Sequence, residues 1–126
     1  MRFQLPHEAL AFEIPDEWLQ TANVLSFKPA ESAFTASSDS EFPTQRVRLA
    51  DVKAPERDVG VAWFQRERMV SILRAFASGQ VLPPLKVDEP PTQGRFRFRV
   101  REGFHRYYAS AAVGFPELPV AVIPYY

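Results

Sequence analysis

The chain has no cysteine and only two histidines, His7 and His105, in 126 residues. Without thiols it forms no disulfide, offers no thiolate nucleophile and builds no cysteine-based zinc site. Two histidines are too few for a histidine-rich metal centre, so no metal site made by the protein alone is expected. The chain also lacks a surplus of charge, because fifteen Lys and Arg balance fifteen Asp and Glu. Dedicated nucleic-acid domains usually carry a basic excess or a concentrated basic stripe. A nucleic-acid partner is therefore disfavoured, although arginines do cluster between Arg95 and Arg106. No apolar run approaches the ~20 residues that span a membrane. The opening MRFQLPHEALAF has no signal-peptide core. A cytoplasmic protein without a membrane partner is the expectation. What the chain does have is 46% hydrophobic residues, enough to fill the core of one domain over residues 1–126.

The first 27 residues hold two short apolar stretches, Leu10–Ile14 and Val24–Phe27. Between them, Pro15-Asp16-Glu17 suits a first helical turn, since proline tolerates that place and acids favour the positive end of the helix dipole. The small, polar stretch from Lys28 to Phe42 reads as a loop or mobile connection. Val47, Leu49 and Val52 indicate a short strand. Over Val61–Ala77, Met69, Ile72, Leu73 and Phe76 recur at helical spacing and make one apolar stripe, with Gly79 as the stop. A strand over 81–87 is entered through Pro83-Pro84, which cannot donate to a ladder and so should precede its paired part. After a turn at 89–94, Arg95–Val100 alternates strictly. Phe96, Phe98 and Val100 point to one face, and Arg95, Arg97 and Arg99 to the other. Those three phenylalanine and valine side chains should share a core with the 69–76 stripe. The arginine face reads as an open, charged strand surface. His105–Val113 is expected to be helical, ended by Gly114, and Leu118–Ile123 to be the last strand. Tyr125-Tyr126 can pin the terminus onto the domain or onto a second copy, so a homodimer stays open.

The segment Arg101-Glu102-Gly103-Phe104-His105-Arg106 leads out of the clearest strand straight into a helix. The first backbone amides of a helix have no intrahelical partner, and its dipole favours an anion there. Gly103 lets a ligand approach the backbone without a Cβ in the way. His105 and Arg106 add donors, and arginine presents a planar fork that matches phosphate oxygens. Such a junction suits phosphate. The alternative is a turn glycine, a partly buried histidine and an arginine on a solvated face.

Several segments together resemble the ParB/sulfiredoxin superfamily. They are Val47-Arg48-Leu49-Ala50-Asp51-Val52, Pro55-Glu56-Arg57, the helix ending Ser71-Ile72-Leu73, Leu82-Pro83-Pro84-Leu85-Lys86-Val87, Val100–Tyr107 and Gly114–Val120. The resemblance implies an α+β fold, a small mixed sheet with packed helices in two layers. Residues 1–44 form an N-terminal extension that it does not cover. It also implies that Gly103, Phe104, His105 and Arg106 bind nucleotide phosphates. Glu102 stands where an aspartate is more usual, and Phe104 where sulfiredoxin has its cysteine, so sulfinic-acid reduction is excluded. The helix-turn-helix and dimerisation segments of partition ParB proteins have no counterpart here, and chromosome partition is not expected. In a free-serine kinase of this fold the catalytic acid falls where this chain has Pro55-Glu56-Arg57. Glu56 is then a candidate general base for phosphoryl transfer, or else a solvated loop glutamate. Arg57 is a second phosphate ligand or an exposed ion-pair partner.

Two functions follow. One is a nucleotide- or phosphate-binding domain, with Mg²⁺ accompanying ATP, ADP or CTP, that hydrolyses the nucleotide or transfers a phosphoryl group. The other is a non-catalytic protein- or nucleic-acid-interaction module that kept the fold and lost the chemistry. Glu102 and Phe104 favour the second, His105 beside Arg106 the first.

Overall fold

The computed structural model describes all residues except 39, 40, 92, 93 and 126. Thr92 and Gln93 of the expected turn, and Tyr126 of the expected terminal anchor, thus lie outside the described residues. Elements run in the order β1 (Arg2–Gln4), β2 (Ala11–Glu13), α1 (Asp16–Thr21), β3 (Thr44–Arg48), a 3₁₀ turn (Leu49–Asp51) and β4 (Val52–Lys53). They continue with α2 (Arg66–Ser78), β5 (Leu85–Asp88), β6 (Phe98–Glu102), α3 (Phe104–Val113) and β7 (Glu117–Val122). Among the described residues no helix is long and apolar enough to cross a membrane.

The single strand expected around Val47–Val52 is two strands. Leu49–Asp51 makes a 3₁₀ turn, held by two hydrogen bonds from the Arg48 guanidinium to the Asp51 carboxylate at 2.8 and 3.1 Å. The turn sends β3 and β4 to opposite edges of a five-stranded sheet of order β3-β7-β5-β6-β4. The pairs β3–β7 and β5–β6 are antiparallel, while β5–β7 and β4–β6 are parallel. A flat sheet would hold its outer strands ~19 Å apart, at ~4.8 Å per step. The few residues from Arg48 to Val52 reach at most ~14 Å. The sheet must therefore curl its edges toward one another. Pro119 is tolerated in β7 because the β5 ladder begins only at Val120.

Helix α2 starts at Arg66, five residues later than its periodicity suggests. Trp63 and Phe64 are the reason: both rings pack against Phe104 and Tyr108 of α3, at 5.5–5.9 Å between centroids, and this holds the preceding chain out of helix. Met69, Ile72, Leu73 and Phe76 are buried as expected, and Gly79 ends the helix in the left-handed region at φ 72°.

Strand β6 is shifted toward the C-terminus, spanning Phe98–Glu102 rather than Arg95–Val100. Alternation alone does not make a strand. Its partner β5 ends at Asp88, and Pro90-Pro91 beyond it have no amide to donate. Phe98 is buried and Val100 packs on the core, but Phe96 lies outside it. Its ring meets His7 edge-on at 6.2 Å. The arginines of this segment are paired rather than open. Arg97 bonds Glu89, while Arg99 and Arg101 both hold the fully buried Asp88. A bulge at Arg101 lets it join Arg99 on that carboxylate.

Residues before β3 belong to the same core. Leu5, Phe12, Ile14, Leu19 and Val24 are buried with residues of α2, α3 and the large sheet. Glu17 of α1 pairs with Arg66 of α2 at 2.6 Å. The described residues of the polar stretch 28–42 form a loop, but an anchored one. Phe34 stacks on Phe76 at 5.2 Å, and Ala36 bridges Leu82.

Candidate functional site

Strand β6 delivers the chain to Gly103, the N-cap of α3, at φ 119° and ψ 32°. No side chain caps this helix, so the amides of Phe104, His105 and Arg106 keep their donor character. The reason for the glycine differs from the one expected. A Cβ at Gly103 would come within 2.7 Å of the Leu85 Cγ. The position is thus filled by β5 from below, and the left-handed turn itself excludes other residues.

Above this junction lies an open cleft of about 650 Å³. It brings together every predicted site residue: Glu56 and Arg57 from the loop after β4, and Gly103, Phe104, His105 and Arg106 from the start of α3. The two segments are some fifty residues apart in the chain and meet because Tyr108 of α3 donates a 2.6 Å hydrogen bond to the Pro55 carbonyl. Two further arginines outside the predicted site residues line the cleft, Arg68 of α2 and Arg101 of β6. For Arg68 a signal existed: Ile72, one helical turn later on the same face, is buried and also lines the cleft. Arg101 is tied to Asp88, so three arginines, Arg57, Arg68 and Arg106, face Glu56 and Glu102 in a chain with no net charge.

The side chains are not equally free. Arg68 is exposed and makes no hydrogen bond or ion pair with any described residue. The Arg57 guanidinium lies 3.9 Å over the Phe104 ring and its Nε donates to the Trp63 carbonyl. Arg106 directs Nη1 to the carbonyls of Pro83 (2.8 Å) and Pro84 (3.4 Å). An arginine has five N–H donors, so Nε and Nη2 remain for a ligand. His105 is buried, and its Nε2 accepts the Gln65 amide at 2.9 Å at the N-cap of α2. Burial, then the charges of Arg57 and Arg68, pull its pKa down to about 4. The ring is therefore neutral near pH 7, with its proton on Nδ1. His105 thus brings no cation to the cleft; it ties α2 to α3 and leaves one N–H donor.

Two carboxylates line the cleft, and among the described residues no three His, Asp or Glu stand together to hold a metal. Such a donor set fits Mg²⁺ only as the companion of phosphate oxygens, which then fill most of its coordination sphere.

No protein-family model and no curated protein sequence matches the chain. Among solved structures it is similar to the C-terminally truncated chromosome-partitioning protein ParB from Caulobacter crescentus, crystallised with CTP-gamma-S. The two are 17% identical with a TM-score of 0.50. The match covers 66% of this chain and 45% of that one, so the shared part is less than half of the ParB chain. The fold is ParB-like.

Proposed function

We propose that the cleft at the start of α3 binds the phosphate groups of a nucleotide. The observation that carries this reading is the convergence of Arg57, Arg68 and Arg106 on an uncapped helix N-terminus. Aligned amides and a dipole favour an anion there, and guanidinium forks add directed, charge-assisted bonds. The ParB of like fold was crystallised with a CTP analogue, which supports a nucleotide over a bare phosphate. Phe104, covered by Arg57, offers its amide rather than its ring.

Mg²⁺ enters this reading with the nucleotide. Glu102, beside the first amides of α3, is the residue that would hold it, and the ion would neutralise phosphate charge. Glu56, on the exposed loop across the cleft, would take the proton of an attacking water or hydroxyl as its oxygen bonds to phosphorus and the nucleoside diphosphate or monophosphate leaves. A different observation favours the interaction-module reading. Val59, Val61 and Trp63 are exposed on the loop that borders the cleft, an apolar edge suited to a protein partner.

A thermal-shift series with CTP, ATP, ADP and GTP, each with and without Mg²⁺, tests the binding claim. A nucleotide at 100 times its Kd stabilises by about 2.7 kcal/mol, which for a domain of this size raises Tm by roughly 10 °C. Arg68→Ala should remove most of the shift without harming the fold, and Arg97→Ala outside the cleft should leave it intact. No shift with any nucleotide at millimolar concentration would leave the interaction module as the standing reading. Glu56→Gln then separates binding from catalysis: phosphate release falls at least tenfold with Kd unchanged only if Glu56 is the base.

A further inference from the structure

The cleft does not end at Arg106. A second depression of about 400 Å³ adjoins it, sharing Pro83, Glu102 and Arg106 as a common wall and adding Ser37, Ser38 and Lys86. Its outer side comes from the stretch before β3, which the ParB/sulfiredoxin resemblance does not cover. That side is firmly placed. The Ser37 amide donates to the Leu82 carbonyl at 2.9 Å, the Leu82 amide donates to the Thr35 carbonyl at 3.0 Å, and Phe34 anchors the segment on Phe76.

Resting on the nucleotide reading, we propose that this depression is a second phosphate subsite, reached by a phosphate chain that starts at α3 and crosses Arg106. Its ligand group is the terminal phosphate of a nucleoside diphosphate or triphosphate, and Lys86 is the residue that selects for it. Three features support the assignment. Arg106 lines both depressions and is fixed through Nη1 alone, so its remaining donors serve an oxyanion on either side. Lys86 is half-exposed, and its ammonium stands 3.8 Å from the Glu102 carboxylate, too far for a hydrogen bond. Its ammonium thus retains donors for a phosphate. The hydroxyls of Ser37 and Ser38 are exposed on the facing wall, neutral donors that tolerate a highly charged group. Lys86 and Arg106 against Glu102 leave the depression one positive charge in excess, and a Mg²⁺ on the phosphate chain adds to it.

Isothermal titration of the whole chain with CMP, CDP and CTP, in the presence of Mg²⁺, tests this. The wild type should bind CTP at least about tenfold more tightly than CMP, equal to ~1.4 kcal/mol. Lys86→Ala should reduce that ratio to within about threefold while CMP affinity is unchanged, and Lys86→Arg should restore it. Lys86 is a half-exposed side chain, so its removal does not threaten folding. A CTP to CMP ratio that survives Lys86→Ala overturns the subsite and leaves the nucleotide reading standing. A wild type that binds neither CMP nor CTP overturns both.

Discussion

Gly103 answers to two constraints at once: a φ that L side chains rarely adopt, and a Leu85 side chain where a Cβ would sit. Gly103→Ala should cost roughly 2–5 kcal/mol, combining left-handed strain with overpacking, and urea unfolding reads this directly. A loss below 1 kcal/mol would mean that the turn relaxes freely. His105 presents the opposite case, a polar side chain whose role is set by its neighbours. Its pKa lies below the unfolded value of ~6.5, at about 4, so the unfolded chain binds more protons between these limits. Stability that is fully present above pH 6.5 should therefore fall as pH drops toward 4, by up to about 3 kcal/mol. His105→Asn should flatten that part of the profile. An anion between Arg57 and Arg68 offsets one cause of the depression, so nucleotide should raise the His105 pKa in an NMR titration. An unchanged value would place the ligand elsewhere.

At the scale of elements, what was legible in the sequence was what local chemistry decides. The stripe Met69, Ile72, Leu73, Phe76 and the stop at Gly79 are read correctly because helix periodicity and a left-handed C-cap need no distant partner. The start of α2 was not legible, since it depends on Trp63 and Phe64 meeting rings of α3 some forty residues later. Strand β6 shows the same limit. Its alternation marked the right faces for Phe98 and Val100, but its ends are set by where β5 offers a ladder. Phe98→Ala should cost on the order of 3–5 kcal/mol. Phe96→Ala should cost no more than about 1 kcal/mol, as befits a partly exposed ring outside the core. Equal losses in chemical denaturation would contradict the observed register.

On the scale of the whole molecule, the curl of the sheet explains how so short a chain assembles a cleft. One 3₁₀ turn sends β3 and β4 to opposite edges, and the loop after β4 then lies against the start of α3. Glu56 and Arg57 could be placed beside Gly103–Arg106 from family resemblance. Arg68 could be placed only on the helix face of Ile72, and Arg101 not at all, because their meeting in the cleft arises only when α2 and the β6 bulge are packed. The overall charge balance hides the result: Asp88 and Glu89 pair with Arg97, Arg99 and Arg101 of the sheet, while Arg57, Arg68 and Arg106, outside those pairs, line the cleft.

The central claim is positional, that nucleotide phosphate meets the first turn of α3 among Arg57, Arg68 and Arg106. Amide-resolved NMR titration of the whole chain with CTP and Mg²⁺ tests it most directly. The largest shifts should fall on the amides of Phe104, His105 and Arg106, with smaller ones at Arg57 and Arg68. Shifts centred on any other surface, or none at millimolar CTP, would contradict the account.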